Sequence, residues 1–254
     1  MTLPLVVGNW KMNGTQHKCQ QLARKMAEEL PTPTGSVEVA VAPPFTALWS
    51  VAKVKGNLKL AAQNCHWEDS GAFTGEISPK MLSELACEFV IVGHSERRHV
   101  FHEDDDMISR KLAPVMAHGM RPILCVGETL TERQQEVTDE IITRQLHAAL
   151  KALNKSAITR LEIAYEPVWA IGTGHNASSH QISAVHSRIR EFLTSSFGDS
   201  GRGVRILYGG SVKPENASML AQIAEVNGLL VGGASLQAET FMPIVSAFTK
   251  IEIR

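Results

Sequence analysis

The chain has 254 residues, with 25 Lys and Arg against 26 Asp and Glu and a formal net charge of −1. That balance leaves no basic stripe to neutralise a phosphate backbone, so nucleic acid is not an expected partner. The length suits one large α/β domain, residues 1–254, better than two small ones, and a chain of this size buries roughly three quarters of its unfolded surface.

The N-terminal run Leu3 to Val7 is too short for a membrane span and has neither a basic flank nor a cleavage site, so a cytoplasmic protein is expected. Within that run the first strand, Leu5–Gly8, leads into Asn9-Trp10-Lys11, a polar pair where a lone surface lysine would be the plainer explanation. A helix over Thr15–Leu30, a strand over Val37–Ala42, a helix over Phe45–Lys53 and a strand over Leu58–Gln63 follow. Cys65–Ser78 then forms a long loop, whose aromatic residues Trp67 and Phe73 suggest a partner surface. After a helix at Pro79–Ala86, the strand Phe89–Gly93 ends on His94-Ser95-Glu96. Ser95 reads as the N-cap of a short helix, whose N–H groups would bond one ring nitrogen and keep the imidazole neutral.

His102 to Asp106 is a run of charge, read as a solvated face with Asp104 or Asp105 as cap. The helix Asp104–His118 that it opens contains Pro114, which predicts a kink or a split. A strand at Pro122–Val126 and a helix at Thr131–Leu153 lead to the strand Leu161–Tyr165. That strand stops on Glu166 and Pro167, and the apolar residues Val168 to Ile171 run on to Gly172-Thr173-Gly174. An acid at a strand end, under a loop with glycine at its far end, reads as a base beneath a lid. A helix at Ser178–Phe197 and a strand at Val204–Tyr208 precede Gly209-Gly210-Ser211. A helix at Pro214–Gln222 and a strand at Gly228–Val231 precede Gly232-Gly233, with a last helix at Ala238–Thr249.

Eight near-continuous apolar strands alternating with helices imply a (β/α)8 TIM barrel. A doubly wound open sheet is the alternative, but its glycine-rich turn is missing after the first strand. The unusual polar residues fall at strand C-terminal ends, where this architecture binds ligands, and the two glycine pairs fall where it binds phosphate. Cys19, Cys65, Cys87 and Cys125 have neither metal-ligand nor disulfide spacing and read as reduced thiols. No metal site and no cofactor are expected. A base, an electrophile and a phosphate anchor permit proton transfer next to a carbonyl, on a sugar phosphate that the residues alone do not choose.

The motifs Gly8-Asn9-Trp10-Lys11, Ala62-Gln63-Asn64, Gly71 to Glu76, Val92 to Arg98, Ala164 to Gly174, Tyr208 to Val212 and Leu230 to Ala234 resemble, in order and over nearly the whole chain, the triosephosphate isomerase family. The resemblance implies interconversion of D-glyceraldehyde 3-phosphate and dihydroxyacetone phosphate through an enediolate, in glycolysis and gluconeogenesis. It implies Glu166 as base, His94 and Lys11 as the groups that polarise the carbonyl, Asn9 in the same pocket and Glu96 behind them. Gly172, Ser211, Gly232 and Gly233 would hold the phosphate. It also implies a homodimer in which the loop around Thr74 docks near the partner's site. Two other classes remain open: an epimerase or synthase on another phosphosugar, with a metal or a larger pocket, and a catalytically silent barrel that binds or assembles.

Overall fold

Short runs rich in Val, Ile, Leu and Ala form the strands, because branched side chains suit a sheet buried on both faces. The computed structural model describes residues 3–30, 36–172 and 176–249. Its strands are β1 (Leu5–Asn9), β2 (Glu38–Ala42), β3 (Lys59–Ala62), β4 (Phe89–Val92), β5 (Arg121–Val126), β6 (Glu162–Tyr165), β7 (Arg205–Tyr208) and β8 (Gly228–Val231). They pair in sequence order, all parallel, and β8 returns to β1 to close the barrel. The (β/α)8 expectation holds.

Alternation along each strand splits the core in two. Leu5, Val7, Phe89, Ile91, Leu207 and Leu230, with small partners such as Ala40, Ala61 and Ala164, form one cluster that takes residues from all eight strands and fills the barrel interior. Val6, Val39, Ile163 and Ile206 point the other way, into a layer with helix residues such as Met26, Leu146, Ile189 and Phe241.

Helix starts follow their caps. Ser78 and Asp104 accept N–H bonds from Met81 and Met107, and Ser178 with Gln181 completes a capping box. Three expectations need correction. The stretch Thr131–Leu153 is not one helix but Leu130–Gln134 and Thr138–Leu150, separated at Glu136, whose φ is +60°. Pro114 does not split its helix, which runs unbroken over Asp105–Ala117, since a proline in the last turn removes only one bond. The charged run is not all solvated: Glu103 is buried, 2.6 Å from both Lys111 Nζ and Arg97 Nη2, and Lys111 also donates to Asn64 Oδ1 at 2.9 Å.

The floor of the barrel is ionic. Glu162, fully buried, accepts two bonds from Arg205 at 2.8 and 2.9 Å and also pairs with Arg121. Arg205 reaches on to Glu38 and the Leu3 carbonyl, so nearly all of its fork is used.

Two buried groups set the acid limit. His186 lies against Tyr165 and Tyr208, with Nδ1 3.0 Å from the Glu225 carbonyl. Burial pushes its pKa down to about 4. Burial alone would raise Glu103, but the Lys111 and Arg97 charges outweigh it and hold the carboxyl below its ordinary value. Both shifts favour the unfolded chain as acid is added, because it binds the extra proton first. Stability should therefore be complete above pH ~6.5 and fall by on the order of 3 kcal/mol toward pH 4 from His186 alone. Glu103 should add a further loss below its unfolded value. Urea midpoints measured from pH 8 to 4 test this, and a flat profile across pH 6.5 to 4 would contradict a buried neutral His186.

Candidate active site

The barrel mouth is built from what each strand presents on its inward face. On β6 that face reads Glu162, Ala164 and then Glu166, one step past the strand end. On β1 it reads Leu5, Val7 and Asn9, with Lys11 beyond. The loops above these ends enclose a cavity of about 480 Å³ whose wall includes Asn9, Lys11, His94, Glu166, Gly172, Ser211, Gly232 and Gly233. Of the residues that the resemblance assigned to catalysis or the phosphate, Glu96 alone lies outside that wall, and it touches the site through Lys11.

Lys11 has a left-handed backbone, φ +51°, which a lysine adopts only when its surroundings impose it. Its N–H donates to Asn9 Oδ1 at 3.1 Å, and Gln63 Nε2 donates to its carbonyl at 2.8 Å. The ammonium meets Glu96 Oε1 at 2.7 Å. Asn9 and Gln63 thus hold the strained turn, and Glu96 aims the charge.

His94, not Ser95, is the N-cap of the helix Ser95–His99. The ring rather than a hydroxyl takes the cap position, since Nδ1 accepts from Glu96 N–H at 3.1 Å. A ring nitrogen that accepts an N–H carries no proton, so the hydrogen sits on Nε2 and the imidazole is neutral. Nε2 lies 3.1 Å from Glu166 Oε1 and so donates to it, while Glu166 Oε2 accepts from Ser95 N–H at 2.8 Å. Both side chains are at least nine-tenths buried. Among the described residues no Lys or Arg pairs with Glu166.

Pro167 opens the lid, and Val168–Ala170 form a short 3-10 turn. Trp169 Nε1 donates to Glu128 Oε1 at 2.8 Å, and Tyr165 Oη donates to the same carboxylate. Burial raises the Glu128 carboxyl above its ordinary value, against the pull of Trp169, Tyr165 and Arg133. Gly172 is left-handed, φ +71°, a conformation that glycine adopts without strain. Thr173 and Gly174, the rest of the expected far hinge, lie outside the described residues.

Opposite the lid, Gly232 and Gly233 lead into a 3-10 turn, Gly233–Leu236, and Gly210 packs so close to Tyr208 that a Cβ there would sit 2.2 Å from its hydroxyl. Cys65–Ser78 is pinned at its base by His66 N–H to the Ile77 carbonyl at 2.8 Å. Phe73 is exposed at the tip, but Trp67 is only half exposed, stacked on His66 and covered by the Arg110 guanidinium. Among the described residues no His, Cys, Asp and Glu group could hold a metal ion, and the four cysteines are free. No described helix is long and apolar enough to cross a membrane.

Glu128 and Gln63 were not assigned roles in the sequence reading. Glu128 stands just past the end of β5, the same positional signal that marks Glu166 on β6. A carboxylate, a neutral N–H donor and an ammonium on one small cavity can take a proton from carbon and hold charge on a neighbouring oxygen.

Comparison with known proteins gives a family. The profile described as triosephosphate isomerase matches residues 4–248. Relatives bearing that name include one from Chlorobium phaeobacteroides, 46% identical over 97% of this chain and 99% of its own. Another, from Prosthecochloris aestuarii, is 47% identical over 98% of this chain and all of its own. A third, from Caldanaerobacter subterraneus, is 46% identical over 97% of this chain and its own full length. With a closed eight-stranded barrel beneath a mouth of this composition, the chain belongs to the triosephosphate isomerase family, enzymes that interconvert triose phosphates.

Proposed function

We propose that the chain converts dihydroxyacetone phosphate to D-glyceraldehyde 3-phosphate and back through an enediolate, with Glu166 as the base. The observation that carries the reading is a buried carboxylate without a Lys or Arg partner among the described residues, 3.1 Å from a neutral imidazole N–H on the cavity wall. An anionic base beside a neutral histidine is the arrangement for which this family is the standard example.

In this reading Glu166 takes a proton from C1 and negative charge gathers on O2. His94 Nε2–H and the Lys11 ammonium face that oxygen. O2 then gains a proton, O1 loses one, and Glu166 returns its proton to C2. The base first has to leave Ser95 N–H and His94, so that the substrate oxygen replaces Glu166 Oε1 on Nε2–H. Asn9 holds the Lys11 turn and Glu96 holds its charge. Backbone N–H groups of Gly172, Gly232 and Gly233, with Ser211, take the phosphate. The chemistry is a net proton shift, so the reading calls for no cofactor.

The reading extends to a homodimer through Cys65–Ser78. Supporting it, Met12, Phe73, Met81, Val100 and Phe101 are exposed apolar side chains in or just beyond the loops that follow β1, β3 and β4. It places the reaction in glycolysis and gluconeogenesis in the cytoplasm, where free thiols stay reduced.

Glu166→Gln should fold normally and lose on the order of 10²–10⁴-fold in kcat, because an amide cannot accept the proton. Near-normal kcat in a folded variant would remove Glu166 from the role. Nitrogen NMR of the ligand-free protein should find the His94 proton on Nε2 and none on Nδ1; a proton on Nδ1 would contradict the cap geometry. Replacing Gly71–Glu76 with a short polar turn should give monomers of depressed activity in sedimentation, whereas a persistent dimer would place the interface elsewhere.

A further inference from the structure

Gln145 lies on the helix Thr138–Leu150, almost fully buried and outside the cavity wall. Its side-chain amide is spent on one backbone residue. Gly127 N–H donates to Gln145 Oε1 at 2.8 Å, and Gln145 Nε2 donates to the Gly127 carbonyl at 3.1 Å. A glutamine amide has the same donor and acceptor pair as a peptide, so this contact imitates one step of a sheet ladder. It falls where the real ladder stops, since β4 and β5 last pair at Val92 and Leu124.

What Gly127 carries makes the clamp matter. Its other neighbour is the backbone of Glu166: a Cβ on Gly127 would sit 1.8 Å from the Glu166 carbonyl oxygen. The flanking residues bond across the same seam, Glu166 N–H to the Val126 carbonyl at 2.8 Å and Val168 N–H to the Glu128 carbonyl at 3.1 Å. Glu128 in turn holds Trp169 of the lid and the Tyr165 hydroxyl. The base and the near end of the lid are thus referred, through three consecutive residues, to one side chain on an outer helix.

We propose that Gln145 is a positioning residue for proton transfer, fixing Gly127 so that the Glu166 backbone and the Trp169 latch keep their places. The proposal rests on the reading of Glu166 as the base. Gln145 touches no substrate, so its loss moves the base without changing the groups that bind phosphate. A shift of the order of an ångström at a reacting group can cost about 10²-fold.

The test is steady-state kinetics on the full-length protein with Gln145→Met, which keeps length and removes both bonds, alongside Leu146→Ala, a core truncation on the same helix. Gln145→Met should lower kcat by about 10- to 100-fold and move KM by less than about threefold. Gln145→Glu, which still accepts from Gly127 N–H, should recover part of that loss. Leu146→Ala should be destabilised yet keep kcat at a temperature where it is folded. If Gln145→Met does not fold, Gln145→Glu is scored in its place and should show the same split to a smaller degree. A folded Gln145 variant with normal kcat, or a loss matched by Leu146→Ala, would overturn the proposal. Glu166→Gln measured in the same assay keeps the two readings apart, since its activity reports on the base alone.

Discussion

Two acids on the inward face of β6, one at each end, have opposite surroundings, and closure of the barrel decides which is which. Glu162, at the floor, is saturated by Arg205 and Arg121. Breaking such a buried pair typically costs several kcal/mol, so it is part of what holds the fold. Glu166, at the mouth, is held by two N–H donors and, among the described residues, by no guanidinium or ammonium. Neutral donors steady a carboxylate without locking it, which suits the proposed role of Glu166 as a base that exchanges partners. One inward face therefore carries an ion-paired acid at the floor and, one step past the strand end, an acid held only by neutral donors among the described residues, with one inward alanine between them.

The mouth is held in shape by side-chain bonds to the backbone around it. The Lys11 turn is strained and is kept by Asn9 and Gln63. The seam between β5 and β6 continues past both strand ends through Gly127, and only glycine fits between the Glu166 carbonyl and the Gln145 amide. Glycine costs entropy on folding, and here close approach of two backbones is the compensating gain. Loops at strand ends are usually the mobile part of a barrel, but the loop after β5 is tied in as firmly as a strand.

The eight strands were legible because parallel strands buried on both faces read as unbroken apolar runs, and the site was legible because strand C-terminal ends are a positional signal that needs no contact map. What escaped the sequence depended on which side chains meet in space. Glu103 looked solvated within its charged run, but Lys111, further along the helix that the run opens, and Arg97, from the helix before it, make it a buried ion pair. Trp67 looked exposed until Arg110 covered it. The helix break at Glu136 had no glycine or proline to announce it. Ser95 had the better cap chemistry, yet His94 took the position because its ring could reach Glu96 N–H.

The charges around the cavity constrain how a triose phosphate would be handled. Lys11 is already paired with Glu96, so that pair brings little net charge, and Glu166 brings one negative charge. The glycine end of the cavity offers N–H groups, with Lys213 and Glu215 at its margin offsetting each other. A phosphate dianion would then be bound mostly by dipoles, which hold charge without cancelling it at a distance. In the proposed reaction, proton removal would pass the negative charge of Glu166 to the substrate and leave an enediolate that carries it alongside the phosphate. That makes the few donors at the oxygen count for more, and water, which would screen them, has to be kept out. In the proposed reaction, the apolar Val168–Ala170 turn, tied through Trp169 to a buried carboxylate, would suit that requirement better than a charged one.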